Sequence, residues 1–318
     1  MWQYIIRRLL ISIPVLLAVT VVFYLLADLM PGDAVTAMMT SEAPISRAAL
    51  ASMRSRMGLD QPWPLRYVRW LQGLLKGNLG YSYITFESVT KAIRTRLPAT
   101  LELMGVSMLI SIIIGSILGI VSALKQYSVL DFALTVCGFI GLSVPVFFLG
   151  LILIYIFALR LKVLPVSGMS IPGIPFSLTD NLRHLALPML SLSMLRIASF
   201  MRYMRSSLLD VLHNEYLTVV RAKGLSERRV IMKHALRNAM IPIITVIGLN
   251  VPVLFAGAVI IESVFQWPGI GLLYITAVNQ RDDPMIMGLA VMSAVVVFLS
   301  NLLTDIMYAF VDPRIRYQ

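Results

Sequence analysis

The sequence predicts an all-α polytopic membrane protein with six transmembrane helices and a 70-residue loop after the first. Three observations carry that expectation. Of 318 residues, 58% are hydrophobic and only 14% charged, against about 25% charged in a soluble domain. The mean hydropathy is +0.83. Six apolar stretches approach or exceed the roughly 20 residues that a helix needs to cross ~30 Å of hydrocarbon.

The first stretch runs from Leu9 to about Met30, with Asp28 near its end. The second covers Leu101 to Leu124 and the third about Phe132 to Leu159. A shorter fourth, Leu185 to Met201, contains Pro188 and Arg196. The fifth spans Ala239 to Ile261 and the sixth Met285 to Met307. Backbone groups in lipid need partners within their own segment, so these read as helices. Arg7 and Arg8 ahead of the first stretch suggest a signal peptide. However, Leu9–Leu26 exceeds a signal core of about 7–15 residues and no small-x-small site follows, so it reads as a retained span. The single cysteine, Cys137, excludes an internal disulfide and reads as a small apolar packing residue.

The net charge of +11 is explained by where the cations fall. With the N-terminus inside, the inner segments hold Arg7, Arg8, Lys125, eight residues between Arg202 and Arg237, Arg314 and Arg316. The short outer segments hold Arg160, Lys162, Arg183 and Arg281, which makes 13 inside against 4 outside. The long loop, Pro31 to Thr100, is set aside because loops beyond ~60 residues cross regardless of charge. Both termini are expected in the cytoplasm and the long loop outside it. The basic excess then serves topology and an inner surface facing lipid head groups, and no nucleic-acid partner is expected.

Two parts are expected. Residues 1–100 form the first transmembrane helix plus an extracytoplasmic helical loop. Residues 101–318 form a five-helix core containing a cytoplasmic loop, 202–242. In the long loop Pro31-Gly32-Asp33 ends the first helix. Arg47–Met57 and Arg66–Leu75 carry helical periodicity, Gly77 to Gly80 form a turn, and Val89–Leu97 lead into the second span. There, Ser107, Ser111, Gly115, Gly119 and Ala123 recur every four residues, a small-residue face that lets another helix approach closely. Gly138, Gly141, Pro145 and Gly150 in the third span, and Pro252 and Gly257 in the fifth, permit bends.

Little in the chain suggests chemistry. No nucleophile stands with a matching base, no G-x-x-x-x-G-K-[ST] phosphate loop occurs, and His184, His213 and His234 are too scattered for a metal site. No catalytic residue, metal or cofactor is expected. Arg196 is the one cation within a span. It can snorkel toward the cytoplasm or face a water-filled passage, which makes it a candidate pathway residue.

The informative run follows the fourth span: Glu215, Tyr216, Arg221, Ala222, Lys223, Gly224 and Leu225, then His234, Ala235, Leu236, Arg237, Asn238, Ala239 and Pro242. Helical periodicity breaks at Gly224. Ser226 is expected to cap a second helix in which Val230, Ile231 and Ala235 share a side. Two short helices joined at a glycine would make a firm knob. The residues alone equally allow a basic interfacial helix that only fixes topology.

This run resembles the cytoplasmic "EAA" loop in membrane subunits of binding-protein-dependent ABC importers. It is most similar to the dipeptide, oligopeptide and nickel permease branch, with the pattern E-Y-x-x-x-A-R-A-K-G-L…H-A-L-R-N-A…P. Val220 departs from it, standing where the branch has Ala, and Asn78 stands where the branch has Asp. The likeness extends along the chain through Arg7-Arg8-Leu9-Leu10, Gly58-Leu59-Asp60, Arg96-Leu97-Pro98, Glu262 to Gly271 and Asp312 to Arg316. The resemblance implies a type I ABC importer permease fold and the first (B-type) permease subunit of an ATP-driven peptide importer in the bacterial inner membrane. Its implied partners are a second homologous permease, two ABC ATPase subunits that bind ATP and Mg, and an extracytoplasmic substrate-binding protein. It assigns coupling to the ATPases to Glu215, Tyr216, Arg221, Ala222, Lys223, Gly224 and Leu225. A nickel chelate or glutathione are the alternative cargoes. A stand-alone ion-coupled transporter, the reading from another class, would need titratable groups near the midplane, which the spans lack.

Overall fold

A computed structural model describes residues 2–29, 35, 47–256 and 258–311. The Pro31-Gly32-Asp33 stop, the Gly257 bend and the run from Asp312 to Arg316 lie outside the described residues. In order, the helices are α1 (Trp2–Leu29), α2 (Arg47–Met57), α3 (Trp63–Leu75), α4 (Val89–Leu124), α5 (Val129–Ser143), α6 (Val146–Leu153), α7 (Leu178–Leu212), α8 (Glu215–Ala222), α9 (Leu236–Ala256), α10 (Val259–Val264), α11 (Ile270–Asn279) and α12 (Asp283–Val311). Helix α6 continues as a π-helix over Ile154–Arg160. A short turn, Glu227–Arg229, and a π-helix, Val230–Ala235, lead into α9. Among the described residues the only β pairing is one bridge, Tyr81 to Ser88.

Five helical segments are long and apolar enough to cross a membrane: Leu10–Leu29, Val89–Leu124, Leu178–Leu212, Glu227–Phe255 and Asp283–Leu302. The third expected span, about Phe132 to Leu159, bends sharply where its glycines and Pro145 permit a bend. It is split into α5 and the α6 segment, which meet at 99°. The cause is local. Proline disfavours helical backbone in the residue before it, and Val144 accordingly turns extended (φ −83°, ψ 124°) ahead of Pro145. Counted as one broken span, the pair brings the total to six. The fourth span also differs, growing from Leu185–Met201 to the 35 residues of α7. Its polar ends, with Asp180, Arg205 and Asp210, hide the extra helix from hydropathy. Cys137 is exposed on the chain's own surface, which corrects its reading as a packed residue.

Contacts divide the chain into two compact units. The first comprises Met1–Pro98, Phe255–Val259 and Pro268–Gln318. Here α1 packs along α12, and α3 packs on α1. Val89, Ala92 and Ile93 form a core with Ile270, Ala277, Met285, Ile286 and Leu289. The buried Asp282 carboxylate accepts from the Ser82 hydroxyl and, at 3.0 Å, from the Tyr83 N–H, which ties the loop before α4 to the start of α12. Arg66 pairs with Asp28, and Thr20 and Tyr67 share a hydrogen bond of 3.0 Å.

The second unit comprises Ala99–Leu254 and Ile260–Trp267. The small-residue face of α4 lies directly on α7. A Cβ added at Gly115 would stand 2.7 Å from the Phe200 Cβ, and one at Gly119 would stand 2.6 Å from the Met201 carbonyl oxygen. Ser111 donates to the Ser193 carbonyl and Ser193 to the Ser107 carbonyl, both at 3.2 Å. Elsewhere, the fully buried Trp267 donates its indole N–H to the Ala99 carbonyl at 2.8 Å, and the Thr100 hydroxyl donates to the buried Glu262 at 3.0 Å. These two bonds anchor α10 and its following turn to the first residues of this unit's α4.

Candidate functional site

The run from Glu215 to Leu225 forms a knob made of α8 and the turn that follows it. Gly224 adopts φ +76°, a left-handed conformation that costs other residues roughly 1–2 kcal/mol. Its N–H bonds back to the Arg221 carbonyl at 2.9 Å, so α8 stops there. Arg221 then reaches across the turn with both arms. Its Nε and Nη2 donate to the Glu227 carboxylate at 3.2 and 3.0 Å. Ser226 occupies the N-cap position of Glu227–Arg229 as expected, but its side chain makes no capping bond. The Arg229 and Val230 N–H groups bond instead to its backbone carbonyl.

What holds the knob is a core beneath it. Leu217, Val230, Ala235, Ala239 and Ile243 are fully buried with Met204 and Leu208 of α7. Ser207 donates to the Ala239 carbonyl at 2.8 Å. The Asn238 amide donates to the Tyr216 hydroxyl at 2.7 Å, and that hydroxyl donates to the His234 carbonyl at 3.3 Å, which binds the two limbs together. The limb after the turn is π-helical over Val230–Ala235, an irregularity often found at functional sites.

The opposite face is open. Glu215, Tyr216, Arg221, Ala222, Lys223 and Gly224 are all exposed, Leu225 is half-buried and packed on the core, and the apolar Val219 and Met232 are also exposed. Nothing lies within 4 Å of a Cβ added at Gly224. The residues picked out by sequence therefore gather on one protruding surface, except Leu225, which braces it from below. That surface sets Arg221 and Lys223 beside the apolar Val219 and Met232.

Arg196 sits away from the knob, on α7. It is half-buried, and its Nη1 is buried without a hydrogen-bond partner among the described residues.

One arrangement escaped the sequence reading. Asp131, in the first turn of α5, is 5% exposed and is gripped by Arg205 of α7 through two bonds of 2.8 Å. It also accepts from the Ser122 hydroxyl and, at 3.0 Å, from the Tyr127 N–H. Arg205 follows Met204 of the knob's core, so this clamp and the knob share one stretch of helix. The one available signal was an acidic residue three positions after the N-cap residue Ser128.

Comparison with known proteins gives this geometry a context. The sequence profile of the family described as "Binding-protein-dependent transport system inner membrane component" matches residues 115–317, and that of its N-terminal membrane component matches residues 1–104. The chain is 42% identical over 318 residues to the oligopeptide transport system permease protein AppB of Bacillus subtilis. It is 40% identical over 336 aligned residues to the di/tripeptide transport system permease protein DppB of Pseudomonas aeruginosa. It is 36% identical over 339 to the dipeptide transport system permease protein DppB of Escherichia coli. In all three alignments both chains are covered completely. Matches of this identity and extent establish the family: the chain belongs to the inner membrane components of binding-protein-dependent transport systems.

Proposed function

We propose that this chain is the transmembrane subunit of an ATP-driven importer of short peptides, and that the knob couples it to the ATPases. The carrying observation is the knob itself, an exposed face of Tyr216, Val219, Ala222 and Lys223 on a fully buried core. Such a protrusion transmits force as a rigid body and does not fold away under load. The peptide cargo is supported by the relatives, whose names specify oligopeptides, dipeptides and tripeptides.

In this reading both termini are cytoplasmic, and residues 1–100 carry the first span and an outer loop that meets the binding protein. A second permease supplies the other half of the passage. Two ATPase subunits bind ATP and Mg, so this chain has no catalytic role. Closure of the ATPase dimer draws the knobs together, and the helices swing between inward-open and outward-open states, ATP biasing a bistable element.

The test is reconstitution. The chain with its permease partner, ATPases and binding protein, placed in proteoliposomes, is expected to import labelled dipeptide only with ATP. Import of a nickel chelate or glutathione in place of peptide would overturn the cargo assignment. ATP-independent uptake by the chain alone would overturn the coupling.

A further inference from the structure

A cavity of about 270 Å³ opens in the first unit, among α1, the start of α3, the loop before α4 and the first turn of α12. Its wall includes Tyr24, Trp70, Tyr83 and Asp283 together with two arginines, Arg66, whose charge is taken up by Asp28, and the exposed Arg69. Two neighbouring carboxylates are committed: Asp28 to Arg66, and Asp282 to Ser82 and Tyr83. Asp283 is not. Arg66 and Arg281 lie near enough to act on it electrostatically, yet among the described residues it has no hydrogen-bond or ion-pair partner. The helix start stabilises its charge through the dipole but supplies no donor.

The surroundings specify what would complete it. A partly buried carboxylate without a partner is costly, and a cation is the group that relieves it. Three aromatic rings on the same wall favour an ammonium, whose charge the ring faces attract. Burial, followed by the nearby Asp283 carboxylate, pushes the Tyr83 phenol up, so that ring stays neutral. Three lining residues keep a buried polar atom without a hydrogen-bond partner, Trp70 Nε1, Arg66 Nε and Gln61 Oε1, which leaves two donors for the peptide's own oxygens and one acceptor unused. The volume lies just below the ~300–1,000 Å³ of pockets for drug-sized ligands, which suits one or two residues of a peptide.

We propose that this cavity binds the α-ammonium end of a short peptide at Asp283, as a site in the permease separate from the binding protein. The proposal rests on the peptide-import reading and adds to it a site. The test uses the assembled complex in nanodiscs without binding protein, titrated calorimetrically with Ala-Ala and with N-acetyl-Ala-Ala. Ala-Ala is expected to bind, and acetylation, which removes the ammonium, to weaken binding at least tenfold. Asp283→Asn is expected to cost a similar factor and Tyr83→Leu several-fold, with assembly checked by gel filtration. Equal binding of the acetylated peptide, undiminished binding by Asp283→Asn, or no binding of Ala-Ala overturns the site. Uptake is measured in parallel. Peptide uptake without direct binding sinks the cavity and spares the transport reading, while ammonium-dependent binding without peptide uptake does the reverse.

Discussion

Asp131 and Arg205 hold each other through two bonds of 2.8 Å, fastening the first turn of α5 to α7 one residue from the core of the knob. Breaking a fully buried pair by removing one partner costs about 3–5 kcal/mol. Arg205 remains 28% exposed, so Asp131→Asn is expected to cost nearer about 2 kcal/mol. Thermal unfolding of the purified complex in detergent would register the loss. Arg205→Lys should keep only part of the clamp's stability, because an ammonium cannot make the paired contact of a guanidinium. An unchanged melting temperature in Asp131→Asn would remove the clamp from the account.

The contact of α4 with α7 gives a second prediction. At Gly119 a methyl group would meet the Met201 carbonyl oxygen and the Met204 Cβ at 2.6 and 2.7 Å. Such overpacking costs about 1–3 kcal/mol. Gly105, on the same helix, has nothing within 4 Å. Gly119→Ala is therefore expected to lower the melting temperature of the complex, and Gly105→Ala to leave it unchanged or raise it. Equal effects would mean that α4 does not approach α7 along this face.

At Gly224 conformation and space separate. The site is open, so a side chain meets nothing, but φ +76° is strained for anything with a Cβ. Asn tolerates this region better than most residues, and a β-branched residue is worst. Uptake is expected to fall in the order Gly, Asn, Ala, Val, with Val losing nearly all of it. Assembly should persist because no core atom changes. ATPase activity that still responds to binding protein and peptide in Gly224→Val would refute the coupling role.

Much of the fold was legible because lipid leaves few choices. Long apolar runs marked the five unbroken spans and the one broken at Pro145, and the four-residue repeat of Ser107 to Ala123 marked the face on which α7 packs. The glycine before Leu225 marked the turn, and the Glu215–Tyr216…Gly224 run marked the protruding surface. What stayed hidden depends on partners far apart in the chain. Nothing local says that Asp131 meets a residue 74 positions on, or that Trp267 bonds to Ala99. Hydropathy also cannot see a helix that continues past its apolar part, as α7 does to Leu212. Pro145 marked a bend, and its effect on Val144 breaks the helix there, but nothing near it in sequence gives the 99° angle.

Arg196 gives the last prediction. It lies six residues before Arg202, about 9 Å along the helix at 1.5 Å per residue, so a side chain here is near enough to an end to snorkel. The structure adds a constraint. A guanidinium nitrogen is buried with no partner in the described chain, and leaving a charged donor unsatisfied in hydrocarbon costs several kcal/mol. None of the described residues supplies an acceptor, and the proposed role of Arg196 as a pathway residue would give it water instead. With the exposed Cys137 first replaced by Ser, Arg196→Cys is expected to react with a water-soluble thiol reagent added from the cytoplasmic side at rest. Trapping ATP, which closes that side, should block the reaction. Arg196→Gln should keep assembly and shift uptake toward peptides of different net charge. A cysteine that labels in neither state would mean that this position faces lipid or a protein contact, and the passage would then have to be lined by another face of α7.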